Sequence, residues 1–436
     1  GCNSRARTLG GLSYPADHFW LDSSSALHFP FWQFFLALDY FFTPTPFCNT
    51  SPQGMEPEIR TETRSGTEEV RPGYPYGCFA FRTGHSMDHL TATYYPYRFY
   101  FILPAGTSRG VMTFRDSYFI RLSYVSDPEV YGTGECCLLP GLSPDLNPGL
   151  EPLLQKVCKG INSGLFPNPD SLSGYPGVKM ALETAWIDLQ NGGRGILFPS
   201  PFTKGEITLP INGLIWMGNV DSMKRQIDRK ISEGFRVLKM KIGAIGFEEE
   251  VEVIRYIRTR YSELPISLRL DANGAFQSAD AYDRLSRLAE YHIHSVEQPL
   301  TPGNPDAMAD LCCKSPIPIA LDEELIGIER CEEKRELLER ILPQYIILKP
   351  TLLGGFQAAE EWIRLADALN IGWWVTSALE SNIGLNALAQ WTALLPGTKV
   401  HGLGTGTLFR NNFTSPLILK GDSIGYQPDK GWDISL

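Results

Sequence analysis

From residue 209 to residue 403 the chain alternates short β-branched or leucine-rich runs with stretches whose apolar positions recur every three or four residues. The first kind reads as buried strand and the second as amphipathic helix. The pattern predicts strands near 209–215, 237–243, 267–272, 295–299, 317–322, 345–349, 372–377 and 399–403, with helices at 221–233, 248–261, 278–291, 330–342, 356–370 and 383–395. Eight strands alternating with helices predict an α/β chain with a (β/α)8-type barrel over residues 206–405. An open doubly wound sheet would show the same alternation.

Upstream the pattern is different. Residues 97–103 read as a strand, 104–115 as a loop, Tyr118, Ile120, Leu122 and Tyr124 as an alternating half-buried strand, and 130–139 as a third strand. Helical stretches follow at 147–164 and 176–191; in the second, Val178, Leu182, Ala185, Trp186 and Leu189 fall on one stripe. A three-strand meander followed by helices predicts a small α+β domain over 97–205. Residues 1–96 show scattered aromatics, many Ser and Pro and no sustained period, and read as a poorly ordered extension. Met87 stands just before the first convincing strand, so the segment ahead of it is expected to lie outside the working protein.

Composition narrows the partners. The 436 residues are 43% apolar, and 39 basic against 49 acidic side chains give a net charge of −10, which argues against nucleic acid and anionic lipid as partners. The one membrane-like run, 27–42, is broken by His28, Pro30, Gln33 and Asp39, too short a continuous stretch to span a bilayer. No secretory pattern is legible, and nine cysteines without a Cys-x-x-Cys pair suit neither a zinc ribbon nor a disulfide framework. A reducing cytoplasm is the simplest setting. Nothing in the sequence fixes an oligomeric state.

The chemistry sits at the ends of the predicted strands. Lys239 and Lys241, then Asp271, Glu297, Asp322 and Lys349 follow one another at intervals of 25 to 30 residues after Lys241, one strand plus one helix each. A parallel barrel gathers such strand ends on one rim. Residues two apart in a strand share a face, so Lys239 and Lys241 point inward with Met240 turned to the helices, and Arg269, Asp271 and Asn273 share a side. Three carboxylates from successive strand ends form an oxygen set suited to Mg²⁺, with Mn²⁺ as a substitute, while the absence of thiolate or imidazole argues against zinc. Glu323 and Glu324 blur the register; Asp322 is the expected ligand and Glu323 a supporting group.

Lysines flanking a divalent cation point to proton abstraction beside a carboxylate. The base must be neutral, and a second ammonium at about 4 Å supplies about 4 kcal/mol toward that at an effective dielectric near 20. Lys239 can do this for Lys241. Read singly, each acid is more often a cap or surface ion pair, and Lys-x-Lys an edge strand; the register of six groups over five strands is what singles them out. His292 and His294 precede their strand and read as a solvated turn at the opposite rim, and Cys312 and Cys313 as helix packing. Gly402, Gly404 and Gly406 lack dinucleotide spacing but could turn backbone amides toward a carboxylate.

Lys239-Met-Lys241, Arg269-Leu-Asp271-Ala-Asn273, Val296-Glu297-Gln298-Pro299, Leu321-Asp322-Glu323 and Leu348-Lys349-Pro350 together resemble the strand-end motifs of the enolase superfamily, in its muconate-lactonizing branch, and most closely the o-succinylbenzoate synthase family. The resemblance implies that the α+β domain caps the barrel, with residues 406–436 packed on it. It implies that Thr107, Ser108 and Arg109, in a mobile loop, and Ser377, Ser381 and Gly404 contact a small-molecule carboxylate substrate. The implied reaction is Mg²⁺-dependent dehydration of 2-succinyl-6-hydroxy-2,4-cyclohexadiene-1-carboxylate to o-succinylbenzoate, a step toward menaquinone or phylloquinone. Lys241 would act as base and Lys349 as a stabilising cation. A dipeptide epimerase or N-acylamino acid racemase would use both lysines as bases on the same barrel; the Asp-x-Asp pair expected of dipeptide epimerases is missing from 377–384. A catalytically inactive barrel used as a scaffold is the non-enzyme alternative.

Overall fold

The computed structural model describes residues 89–107 and 110–434. The expectations for residues 1–88, including the run at 27–42 and the boundary at Met87, lie outside them. Strands β1 (Leu90–Thr107), β2 (Gly110–Tyr124) and β3 (Asp127–Cys137) form an antiparallel meander in the order β1-β2-β3. Two boundaries differ from the sequence reading. β1 begins at Leu90, so 90–96 belong to the sheet, and 104–115 is a hairpin in place of a loop, with Thr107 paired to Gly110. Pro104, Gly106 and Gly110 disguise it, and the pairing register shifts between Tyr100 and Ala105, as a bulge allows.

Helices α1 (Leu150–Asn162) and α2 (Pro176–Gln190) cover one face of this sheet. Leu154, Val178, Ala181 and Ala185 are buried there against Ile120 and Leu122. The approach of α2 depends on Gly132 and Gly134, two apart on one face of β3. A Cβ at Gly134 would lie 1.9 Å from the Ala181 carbonyl oxygen. On the other face of the sheet Phe99, Phe101 and Phe119 pack with Phe409 and Phe413 from the C-terminal segment, and Phe101 pairs with Phe409.

The barrel begins with β4 (Leu209–Pro210), β5 (Gly213–Ile215) and α3 (Val220–Ser232) and continues through β6 (Val237–Lys241), α4 (Phe247–Arg260), β7 (Ser267–Asp271) and α5 (Ala281–Ala289). There follow β8 (Ser295–Glu297), α6 (Pro305–Lys314), β9 (Ile319–Leu321), α7 (Cys331–Ile341), β10 (Tyr345–Leu348), α8 (Pro350–Leu353), α9 (Phe356–Ala368), β11 (Gly372–Val375) and α10 (Asn382–Thr392). Strands β5 to β11 form one parallel sheet in sequence order. The segment expected as an eighth strand closes the ring with two parallel bridges, His401 to Ile211 and Gly402 to Thr376. Its glycines leave no full ladder there. The last hairpin, β12 (Leu417–Lys420) and β13 (Ser423–Tyr426), pairs with β4.

Alternation along the strands sends Met240, Leu268 and Leu270 into the layer shared with the helices, all fully buried, while Lys239, Arg269 and Asp271 turn inward. Arg269 lies deeper than Asp271, its guanidinium 4.0 Å from the Trp374 ring centroid and its Nη1 donating to the Val400 carbonyl. His294 is part of this lower layer and not of a solvated turn: it stacks on Tyr345 at 5.3 Å because it already pairs into the sheet through Leu268. His292 is the exposed turn residue, with φ 51°. No helix among the described residues is long and apolar enough to cross a membrane.

Candidate active site

Parallel pairing sets β6, β7 and β8 in step, with Lys239 beside Arg269, Lys241 beside Asp271, and Asp271 beside Glu297. Glu297 pairs with Ala320, so Asp322, two residues on, faces the same way. Lys349 follows β10 directly. The six groups expected to meet do converge. Lys239 Nζ lies 2.7 Å from Glu297 Oε1 and 2.9 Å from Asp271 Oδ2. Lys241 Nζ donates to Asp271 Oδ2 and to Asn273 Oδ1, both at 2.7 Å, and Lys349 Nζ donates to Asp322 Oδ2. Asn273, held at φ 47°, donates a hydrogen bond from Nδ2 to Glu323 Oε1 at 2.9 Å.

This packing splits the titrations. Burial drives the Lys241 ammonium below its usual range; Asp271 resists, and Lys239 and Lys349 push it further down. Lys239 is equally buried, yet Asp271, Glu297 and Asp322 outweigh desolvation and hold it above its ordinary value. For Lys349 burial is likewise outweighed by Asp322, Glu297 and Glu323, and the group is raised. Burial would raise Asp271, but the three lysines hold it well below the carboxylate range. Glu297 is raised well above that range by burial and by Asp271. One lysine is thus shifted down while its two neighbours are shifted up.

A cavity of about 230 Å³ opens above these groups, lined by Lys239, Lys241, Lys349 and Asn273, by Ser377, Gly404 and Thr405, and by Gly110, Val111 and Met112 of the cap hairpin. Leu139, Leu142, Leu214, Trp216, Ala378 and Leu379 supply apolar walls. Of the expected substrate contacts, Ser377 and Gly404 line the cavity. Thr107 is at the hairpin tip; Ser108 and Arg109 fall outside the described residues. Ser381 does not line it. Its hydroxyl donates to Glu135 Oε2 at 2.6 Å and caps α10, so its position after the wall segment makes it a support and not a contact. The sequence reading missed Asn212, Trp216 and Thr405, since a lone polar or aromatic residue after a strand carries no signal, and it missed Glu135 and Arg115, which meet the barrel only through the cap.

The donor set is tested by its chemistry. Asp271, Glu297 and Asp322 offer oxygen alone, and Glu297 Oε2 is buried with no hydrogen-bond partner. Among the described residues no three acidic, imidazole or thiolate groups enclose an ion as they stand, and Lys239 lies between Asp271 and Glu297. By donor type, charge and the unpartnered oxygen the carboxylates suit a hard divalent cation such as Mg²⁺.

Residues 222–432 match the family described as Enolase C-terminal domain-like. Over 353 residues, 74% of this chain and 95% of the relative, the sequence is 44% identical to an o-succinylbenzoate synthase of Desulfotalea psychrophila. The chain belongs to the enolase superfamily and, within it, to the o-succinylbenzoate synthase family. The crystal structure of MenC from Desulfotalea psychrophila is similar with a TM-score of 0.69 and 39% identity, covering 77% of this chain and 99% of that one. An N-succinylamino acid racemase of Thermus thermophilus is 30% identical over 67% of this chain and 78% of its own length. Superfamily membership accounts for the capped barrel with lysines and acids on one rim, which the residues show independently.

Proposed function

We propose that this chain is a Mg²⁺-dependent lyase that dehydrates 2-succinyl-6-hydroxy-2,4-cyclohexadiene-1-carboxylate to o-succinylbenzoate, in menaquinone or phylloquinone biosynthesis in the cytoplasm. The observation that carries the reading is the pairing at one cavity of a lysine lowered by burial, Lys241, with two lysines held charged, Lys239 and Lys349, in a chain 44% identical to a protein of that activity.

Asp271, Glu297 and Asp322 would hold Mg²⁺, or Mn²⁺ in its place, which when bound supplies positive charge that acidifies the proton beside the substrate carboxylate. Neutral Lys241 Nζ takes that α-proton, with Asp271 and Asn273 fixing its direction. Lys239, held charged by its carboxylate partners, adds to burial in lowering Lys241. Lys349, across the cavity, offsets the charge that builds on the carboxylate oxygens. The C–H pair then forms the ring double bond as the C–O bond breaks, and protonated Lys241 returns its proton to the departing hydroxyl on the same face. The apolar walls receive the ring, and the cap hairpin excludes water.

The test is an assay of the purified protein with the cyclohexadiene substrate, with and without EDTA: Mg²⁺-dependent formation of o-succinylbenzoate is expected, and its absence would remove the assignment. A second reading has a specific footing, since Lys241 and Lys349 both line the cavity and could serve as bases on opposite faces. Solvent deuterium exchange into N-succinyl amino acids separates the two; fast racemisation with little dehydration would favour the racemase.

A further inference from the structure

We infer that Glu380, a fully buried carboxylate outside the ladder, is a positioning residue that holds the Lys349 segment and the substrate wall in one geometry. The inference rests on the proposed lyase reading and adds to it a determinant of alignment. Glu380 is 1% exposed and does not line the cavity. Its Oε1 accepts from Thr351 Oγ1 at 2.6 Å, and its Oε2 accepts from Ser377 Oγ at 2.5 Å. Thr351 stands two residues beyond Lys349, in α8, whose Leu352 and Leu353 amides both donate to the Lys349 carbonyl. Ser377 stands in the cavity wall. One carboxylate therefore ties the end of β10 to the end of β11 above the sheet, where their ladder has stopped.

The bond to Glu380 also fixes what Ser377 can offer. Its single hydroxyl proton goes to Glu380, while its oxygen accepts from Thr405 Oγ1 at 2.8 Å and from the Leu379 amide at 3.0 Å. With donor and both lone pairs engaged, Ser377 holds the 377–379 segment and Thr405 in place instead of serving as a movable donor. The site of Glu380 is built to keep it there. Gly384 admits no side chain, since a Cβ would lie 2.8 Å from both the Glu380 Cβ and Glu135 Oε2. Glu135, from the cap, receives the Ser381 amide and hydroxyl and the Gly384 amide. A buried carboxylate costs free energy unless its lone pairs are matched, and here two hydroxyls from two lining segments match them. Misplacement of a catalytic ammonium by about 1 Å costs on the order of 100-fold in rate, which sets the scale of the effect.

The experiment compares Glu380→Gln, Thr351→Val and Ser377→Ala with the parent enzyme in steady-state dehydration, beside thermal unfolding and Mg²⁺ titration. Thr351→Val is expected to lower kcat about tenfold with little change in KM, since it releases the Lys349 side, and Ser377→Ala to raise KM. Glu380→Gln should do both, and Glu380→Gln combined with Ser377→Ala should be no worse in KM than Glu380→Gln alone. Glu380→Asp, which keeps the charge but draws it back by one methylene, tests rescue and should recover part of kcat. Folded Glu380→Gln protein with parental kcat and KM, or single-site effects that multiply in the double variant, would overturn the inference. A parent enzyme that forms no o-succinylbenzoate would instead overturn the lyase reading, leaving the coupling to be read by α-proton exchange.

Discussion

Lys241 Nζ and Asp271 Oδ2 meet at 2.7 Å, yet only one of the two titrates as a simple ion pair would: the carboxylate is driven down, but the ammonium is driven down as well instead of up. The asymmetry arises because Asp271 is shared. Lys239 lies 2.9 Å from the same oxygen, so Lys241 receives only part of the compensation its burial demands. A buried lysine with a shared partner gives up its proton more readily than an exposed one, which suits it to act as a base.

Removing that base should leave the scaffold intact. Lys241→Ala is expected to reduce dehydration by roughly 100- to 10,000-fold, the range for loss of a positioned general base, while Asp271 keeps Lys239 as its counter-ion. Mg²⁺ titration and thermal unfolding should stay close to the parent. Turnover that survives the substitution would place the base elsewhere.

The carboxylates should behave as a unit. Asp271→Asn or Glu297→Gln is expected to weaken Mg²⁺ binding and activity together, and EDTA should abolish parental turnover with recovery on adding Mg²⁺ or Mn²⁺. Calorimetric titration beside the activity assay checks both. Loss of activity with unchanged Mg²⁺ affinity would argue that these acids only neutralise lysines.

Much of this site is legible in the sequence because each ladder residue ends its own apolar run, and parallel register carries Lys241, Asp271 and Glu297 to one level without a long-range guess. The barrel's closure is harder to read: residues 399–403 contain Gly402 and close the ring through single bridges, so their apolar run is short. The hairpin at 104–112 hides behind Pro104 and two glycines, Gly106 and Gly110, that ordinarily mark a loop. Ser381 shows the limit most plainly. The resemblance of its segment, 377–384, implies a substrate contact, but its partner is Glu135, 246 residues away, and no local pattern announces a contact between cap and barrel.

Acid should weaken the barrel at its closing seam. His401 is buried, and its Nδ1 accepts the Val375 amide proton at 3.1 Å, which requires that nitrogen to be unprotonated. Burial first, then Lys399 and Arg269, pull its pKa down from 6.5 to about 3. A folded-state pKa below the unfolded one gives stability that is present above pH 6.5 and lost as pH falls through that window toward 3. Between pH 7 and 4.5 the loss is about 2–3 kcal/mol at about 1.4 kcal/mol per unit. Urea unfolding of the parent and of His401→Gln at the two pH values should show the smaller loss in the variant; equal losses would remove His401 from the account.

The joint between cap and barrel gives the last expectation. Arg115 Nη2 donates to Glu135 Oε1 at 3.0 Å with both side chains fully buried, and the guanidinium lies 4.9 and 5.0 Å from the Phe99 and Phe409 ring centroids. Removing one member of such a pair leaves the other charge buried without its partner, at a cost of roughly 3–5 kcal/mol. Arg115→Ala should therefore lower stability by about that amount, and Arg115→Lys should fall short of rescue because an ammonium lacks the planar stack on two rings. Glu135 in the Arg115→Ala protein still faces the Ser381 and Gly384 amides, so activity per folded molecule should fall less than stability does. Unfolding curves with parallel kinetics on the folded fraction check this, and an unchanged midpoint for Arg115→Ala would show that the pair contributes nothing to holding the cap in place.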